Sequence, residues 1–254
     1  MPVHFDADDG IAVVTLDRPE VAGAIDRPTA DALVAAFRRF EQDDALHVAV
    51  LVGTNGTFCA GADLKAMREG DPQRVTRLEP DGSGPVGPTR LLLAKPVIAA
   101  IEGYAVAGGL EIACWCDLRV AARDAVFGVF CRRWGIPLMD GGTIRLPRLI
   151  GHSHALDLIL TGRGVSADEA LRMGLVNRLV EPGEAFAAAL ELAREIAAYP
   201  QGAVRTDRLS SYMQWSMDLA DALRREYEYG MEALSTGEVG DGLERYAQGR
   251  WRGT

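Results

Sequence analysis

Two adjacent glycines, Gly108 and Gly109, directly precede an apolar run in which Glu111 stands among Leu110, Ile112, Ala113 and Cys114, within A-V-A-G-G-L-E-I-A-C-W-C-D (105–117). The pattern predicts a helix that starts at the glycines. The first N–H groups of a helix have no partner inside it, and the helix dipole favours negative charge there. A carboxylate in apolar surroundings holds its proton more tightly, which suits general acid/base work. An oxyanion donor and an acid/base would thus lie a few residues apart.

A second stretch, T-F-C-A-G-A-D-L-K (57–65), follows a strand-like apolar run (48–52) and the turn Gly53-Thr54-Asn55-Gly56. The small residues Ala60, Gly61 and Ala62 let a ligand approach the main chain closely. An N–H offered here, together with one near Gly108, would make a two-donor oxyanion hole. Asp63, Leu64 and Lys65 also fit the start of a helix with solvated charges.

These segments need a scaffold. Residues 3–5 and 11–16 read as short strands around the turn Asp6-Ala7-Asp8-Asp9-Gly10. Asp26 is placed to cap a helix with Pro28 in its first turn, and Ala30, Leu33, Val34, Phe37 and Phe40 recur at helical spacing. Further strands are expected at 47–52, 96–101, 118–122, 126–129 and 176–180. Residues 70–88, rich in Gly, Pro and charge, read as a mobile surface loop near a substrate entrance or as a partly ordered helix. Ser166-Ala167-Asp168-Glu169 is a capping-box pattern, and from Glu184 onward the pattern is almost wholly helical. Alternating strands and helices followed by helices alone indicate an α/β core with a helical C-terminal part, divided here as 1–190 and 191–254.

F-C-A-G-A-D-L-K, followed by K-P-V-I-A-A-I-E-G-Y-A-V-A-G-G-L-E-I-A-C-W-C-D-L-R-V-A, resembles the crotonase (enoyl-CoA hydratase/isomerase) family. R-P-E-V (18–21), R-L-P-R-L-I-G (145–151), L-T-G-R (160–163) and A-L-R-M-G-L-V-N-R-L-V (170–180) extend the resemblance over nearly the whole chain. The resemblance implies a spiral of β-β-α units with C-terminal helices used in assembly as a homotrimer or a dimer of trimers. It also implies an acyl-CoA thioester substrate, with no separate cofactor because CoA belongs to the substrate. By the same resemblance, Gly108 and Ala62 supply the oxyanion N–H groups, Glu111 is the acid/base, and the loop of Asp63, Leu64 and Lys65 lies against CoA. Lys65 would then meet a CoA phosphate as a point charge.

The chain departs from that pattern at Cys131, in F-G-V-F-C-R-R-W-G-I-P, where hydratases of the family carry a second glutamate. Hydration needs one group to activate water and another to deliver a proton, and a neutral thiol does either poorly. Cys131 reads as a buried filler, or as a thiolate favoured by Arg132 and Arg133. Asp140, in P-L-M-D-G-G-T, is a candidate replacement acid/base; its other reading is a helix N-cap. Arg132, Arg133 and Trp134 would bind an acidic or polar acyl group, or face solvent.

Other features carry less. Gly82-Ser83-Gly84-Pro85-Val86-Gly87 matches a dinucleotide glycine pattern, but no strand precedes it and Pro85 interrupts it. Cys114 and Cys116 lack zinc spacing, and His152 and His154 lack an evident third ligand. The formal net charge is −9 over 254 residues, which disfavours nucleic-acid binding. No disulfide framework, signal-like opening or membrane-length apolar run is evident, so a cytoplasmic setting is expected.

The expected activity is hydration of a 2-enoyl-CoA to a 3-hydroxyacyl-CoA, weak toward simple straight-chain substrates because of Cys131. Isomerisation, decarboxylation and thioester hydrolysis are the alternatives. A catalytically inactive acyl-CoA-binding protein is the non-enzymatic one.

Overall fold

The computed structural model describes residues 1–249. The chain opens with β1 (Val3–Asp8) and β2 (Ile11–Leu16), an antiparallel hairpin in register from Val3↔Leu16 to Asp8↔Ile11. β1 is longer than the sequence suggests. Its acidic residues Asp6 and Asp8 stay exposed as part of the strand, and only Asp9 and Gly10 make the turn. Their φ angles of 46° and 76° are those of a two-residue hairpin whose twist matches its strands. Helix α1 (Arg27–Gln42) starts as expected: Asp26 accepts from the Thr29 N–H, and Ala30, Leu33, Val34, Phe37 and Phe40 are buried.

Three similar units follow. The first is β3 (Val48–Gly53), a short extended stretch at Cys59, and α2 (Leu64–Glu69). The second is β4 (Val97–Ile101), β5 (Tyr104–Val106) and α3 (Gly108–Trp115). The third is β6 (Leu118–Ala122), β7 (Val126–Gly128) and α4 (Gly142–Ile150). β3, β4 and β6 pair in parallel in one sheet, while Cys59, β5 and β7 pair in parallel in a second. The chain therefore climbs one step in each sheet per unit, which is the expected spiral of β-β-α turns.

α5 (His152–Thr161), β8 (Val165–Ser166), α6 (Ala167–Arg172), β9 (Arg178–Val180) and α7 (Ala185–Ala197) complete the core. The large sheet has the order β1-β2-β3-β4-β6-β9, and the small one β5-β7-β8. β4 is buried along its whole length, as a central parallel strand covered on both faces should be. One face of the large sheet packs into the main core with Phe37, Phe40, Leu110 and Ile112. On the other, Val48, Val50, Ile98, Ala100 and Val120 pack with Ala189, Leu192 and Ala193 of α7. A boundary after residue 190 therefore cuts through a core helix. Three further helices follow, α8 (Gln201–Met213), α9 (Leu219–Ser235) and α10 (Glu238–Ala247), and α8 is tied to the core by Arg208 and Tyr212, which both donate to the Asp117 carboxylate.

No regular element lies between α2 and the 3-10 turn Pro88–Arg90, so the helical reading of 70–88 does not hold. The segment is tied down at its inner end, where Thr76 and Val86 are buried. No helix among the described residues is long and apolar enough to cross a membrane.

Candidate active site

A cavity of about 100 Å³ brings together the predicted residues Ala60, Ala62, Leu64, Gly108, Glu111, Cys131 and Asp140. Met67, Leu78, Val86, Trp134, Ile136 and Met139 add an apolar lining.

The main chain around Ala62 is pinned on both sides. Cys59 lies along β5, with its N–H on the Tyr104 carbonyl and its own carbonyl accepting from the Val106 N–H. The Ala60 N–H then donates to the Ala22 carbonyl, the Gly61 N–H to Cys59 Sγ at 3.3 Å, and the Asp63 N–H to the Ile25 carbonyl. Ala62 alone in this run has an N–H without an acceptor among the described residues. The Gly108 N–H is likewise unengaged, because the first bond of α3 runs from the Glu111 N–H to the Ala107 carbonyl. The two donors are neighbours. A Cβ on Gly108 would stand 3.5 Å from the Ala62 nitrogen, and a Cβ on Gly61 would stand 2.7 Å from the Gly108 nitrogen. Ala107 turns the chain between them at φ 53°, a strained angle for a non-glycine residue, held by its N–H on the Gly128 carbonyl at 2.8 Å. Such a pair can polarise a carbonyl and hold an oxyanion.

Glu111 sits one turn into α3 and is 3% exposed. Its Oε1 accepts from the Asp140 and Gly142 N–H groups, both at 2.8 Å. Burial is the larger influence and pushes its pKa up to about 7, against those two hydrogen bonds. A group poised there can both accept and release a proton near neutrality.

Asp140 is no N-cap. Its Oδ1 accepts from the Val86 N–H at 3.1 Å and from the Thr89 hydroxyl, while the cap position of α4 is Gly141. It therefore fastens the 84–89 segment to the cavity wall. Burial raises its pKa, opposed by the Thr89 and Val86 donors. Cys131 is the second residue of the 3-10 turn Phe130–Trp134 and is 7% exposed. Burial first, and the Glu111 charge second, raise its pKa, so the thiol stays neutral and the thiolate reading fails. The arginines beside it point elsewhere: Arg132 Nε donates to the Ile159 carbonyl, and Arg133 donates to the Gly162 carbonyl and lies over the Phe130 ring, 3.7 Å from its centroid. Of the three, only Trp134 lines the cavity.

The remaining predicted residues do not line it. The Asp63 carboxylate caps α2 through the Lys65 and Ala66 N–H groups and pairs with Arg18 at 3.2 Å and Arg74 at 3.3 Å. Burial acts to raise its pKa, but the Ala66 amide and the two arginines outweigh it and the net direction is down. Asp26 joins the same cluster through Arg18 at 3.2 Å. The role of Asp63 in this geometry is to brace the Ala62 loop. Lys65 is exposed on the first turn of α2. Gly109 is a packing glycine, since a Cβ there would stand 2.1 Å from the Cys59 carbonyl oxygen. Cys114 and Cys116 are buried in the core, and His152 and His154 lie exposed at the start of α5. Nothing in the sequence marks Arg18, Arg74, Thr89 or Arg145, because an arginine among ordinary charges gives no sign of a partner far along the chain.

The model of a family described as enoyl-CoA hydratase/isomerase matches residues 6–252. The chain belongs to this family. Enoyl-CoA hydratase EchA19 of Mycobacterium tuberculosis is 36% identical over 245 residues, covering 94% of this chain and 90% of that protein. Carnitinyl-CoA dehydratase of Salmonella typhi is 41% identical over 200 residues, covering 76% and 74%. The crystal structure of enoyl-CoA hydratase EchA1 from Mycobacterium marinum superposes with a TM-score of 0.90 at 35% identity, covering 97% of this chain and 96% of that one. The family's crotonase-like spiral accounts for the two climbing sheets, and the matched region contains every residue of the cavity.

Proposed function

We propose that this chain is an acyl-CoA enzyme that holds its thioester carbonyl between the N–H groups of Ala62 and Gly108 and moves protons with Glu111. The observation that carries the reading is the meeting of two unengaged N–H groups with a buried carboxylate of pKa about 7 in one cavity. Charge developing on the thioester oxygen is stabilised as an enolate, and Glu111 exchanges a proton with water or with the acyl carbon beside it. The nominal reaction is addition of water to a 2-enoyl-CoA: oxygen joins the β-carbon, a proton joins the α-carbon, and a 3-hydroxyacyl-CoA results. Hydratase and dehydratase names among the relatives support the addition or loss of water as the class of chemistry. The neutral thiol of Cys131 supplies no second acid/base, so hydration of simple straight-chain substrates is slow.

A second reading, double-bond isomerisation, is favoured by Asp140. It lies in the same cavity with a raised pKa and offers a second proton carrier for a shift that needs no water. Assembly as a homotrimer or a dimer of trimers belongs to the proposal as well. It is supported by Trp215, Leu219, Leu223, Tyr227 and Leu234, all exposed in the C-terminal helical region.

The purified protein is to be assayed with crotonyl-CoA for hydration and with a 3-enoyl-CoA for isomerisation, each beside Glu111→Gln. Turnover of either substrate that disappears in the variant supports the reading. Wild-type turnover by Glu111→Gln overturns it, and a crotonyl-CoA rate typical of a dedicated hydratase overturns the role given to Cys131.

A further inference from the structure

The turn behind Glu111 presents successive peptide groups to opposite sides. The N–H groups of Asp140 and Gly142 face Glu111 Oε1. The Asp140 carbonyl, which lies between them in the chain, instead accepts from Arg145 Nη1 at 3.0 Å. Arg145 Nη2 donates to the Thr89 carbonyl at 2.6 Å, and the Thr89 hydroxyl returns to Asp140 Oδ1. One guanidinium thus spans two segments that are far apart in sequence and joins them at the turn that receives the carboxylate.

Both glycines of the turn fit this arrangement. A Cβ on Gly141 would stand 2.1 Å from Arg145 Nη1, and Gly141 has φ +92°, where a side chain is strained in any case. A Cβ on Gly142 would stand 2.9 Å from Glu111 Cγ and 3.0 Å from Oε1. The first glycine makes room for the arginine, the second for the glutamate. Two N–H groups held on one anion in this way form a small backbone concavity that favours the ionised form.

We infer that Arg145 is a positioning residue: by clamping the Asp140 and Thr89 carbonyls it fixes the two N–H donors that aim Glu111 into the cavity. The inference rests on the reading of Glu111 as the acid/base, but it is measurable without turnover. Besides the turn, the titratable and charged groups whose fields reach Glu111 are Asp140, Cys131, Cys114 and Arg145 itself. Burial holds both thiols protonated across the neutral range, so Asp140 is the one that needs separating.

The test compares wild type with Arg145→Met, Arg145→Lys and Gly141→Ala, the last disturbing the same contact from the other side. The Glu111 carboxylate is titrated by ¹³C NMR, assigned with Glu111→Gln and repeated in an Asp140→Asn background. Loss of the aimed N–H donors removes support for the ionised form, so the Glu111 pKa rises by about one unit in Arg145→Met and by less in Arg145→Lys. On a turned-over thioester, kcat falls by ~10-fold or more with KM within about twofold, as for a misplaced catalytic group. Folded variants that keep the wild-type Glu111 titration and kcat overturn the inference, even if their melting temperature is lower. If Arg145→Met does not fold, the other two variants decide on the same readings. Wild-type turnover by Glu111→Gln would instead remove the acid/base reading and leave the NMR result to judge Arg145.

Discussion

The Glu111 carboxylate and the Cys131 thiol line one cavity, and the charge of the first helps keep the second protonated. The two are not an acid/base pair. One exchanges a proton near neutrality, while the other holds its proton throughout that range. On the proposed mechanism, this asymmetry leaves one group to move protons and no partner to share the work of adding water to an enoyl thioester.

Cys131→Glu restores a second carboxylate. Two carboxylates at close range titrate apart, so one remains an acid while the other is a base. Hydration of crotonyl-CoA is expected to rise by about 10²-fold, within the usual range for a general acid/base. A folded variant with no gain would show that something other than the missing carboxylate limits hydration.

Glu111→Gln is expected to stabilise the fold at alkaline pH. The folded pKa is raised from 4.5 to about 7, so between those values the folded chain binds this proton more tightly than the unfolded one. Stability from this group therefore falls as pH rises through that window, and the full penalty, on the order of 3 kcal/mol, is present above pH 7. Glutamine keeps an oxygen for the two N–H donors and has no charge to bury. The variant should melt several degrees higher than wild type at pH 8 and show little gain at pH 4, as read by calorimetry. A gain of equal size at both values would place the cause elsewhere.

The paired glycines at the start of α3 should respond differently to the same methyl group. In Gly108→Ala the methyl enters the space beside the Ala62 N–H, 3.0 Å from Val86 Cγ1, where a side chain can yield. Thioester turnover should fall by about 10²-fold or more, with little change in stability. In Gly109→Ala the methyl meets the Cys59 backbone at 2.1 Å, and neither strand nor helix can yield cheaply. That variant should lose ~3 kcal/mol or more and yield little folded protein. Thermal melts and steady-state kinetics on both variants separate the two effects; matching profiles would contradict the division of roles.

Much of this was legible in local patterning. The 11–16 and 118–122 strands, the Asp26 cap and the apolar face of α1 lie where periodicity puts them, because each is decided by near neighbours. The proximity of Ala62, Gly108 and Glu111 was legible as a family resemblance, and the spiral explains it by setting Cys59 beside β5. Asp140 shows where local reading ends. Its position before a helix suggests a cap, yet its carboxylate reaches Val86 and Thr89, some fifty residues away. The ion cluster of Arg18, Asp26, Asp63 and Arg74 and the clamp of Arg145 are of the same kind, made by side chains that meet only after the chain has folded.

Every residue of α3 is buried, Glu111 included. Few of its amides can exchange with solvent by a local fluctuation, and no surface substitution can adjust this helix without disturbing the core. The carboxylate is thereby tied to global unfolding, whereas Ala62 rests on a loop braced by charges and Val86 on a segment without regular structure. On gentle warming or in mild denaturant, the cavity rim can open while the wall that carries Glu111 persists. Loss of substrate affinity would then precede loss of the fold.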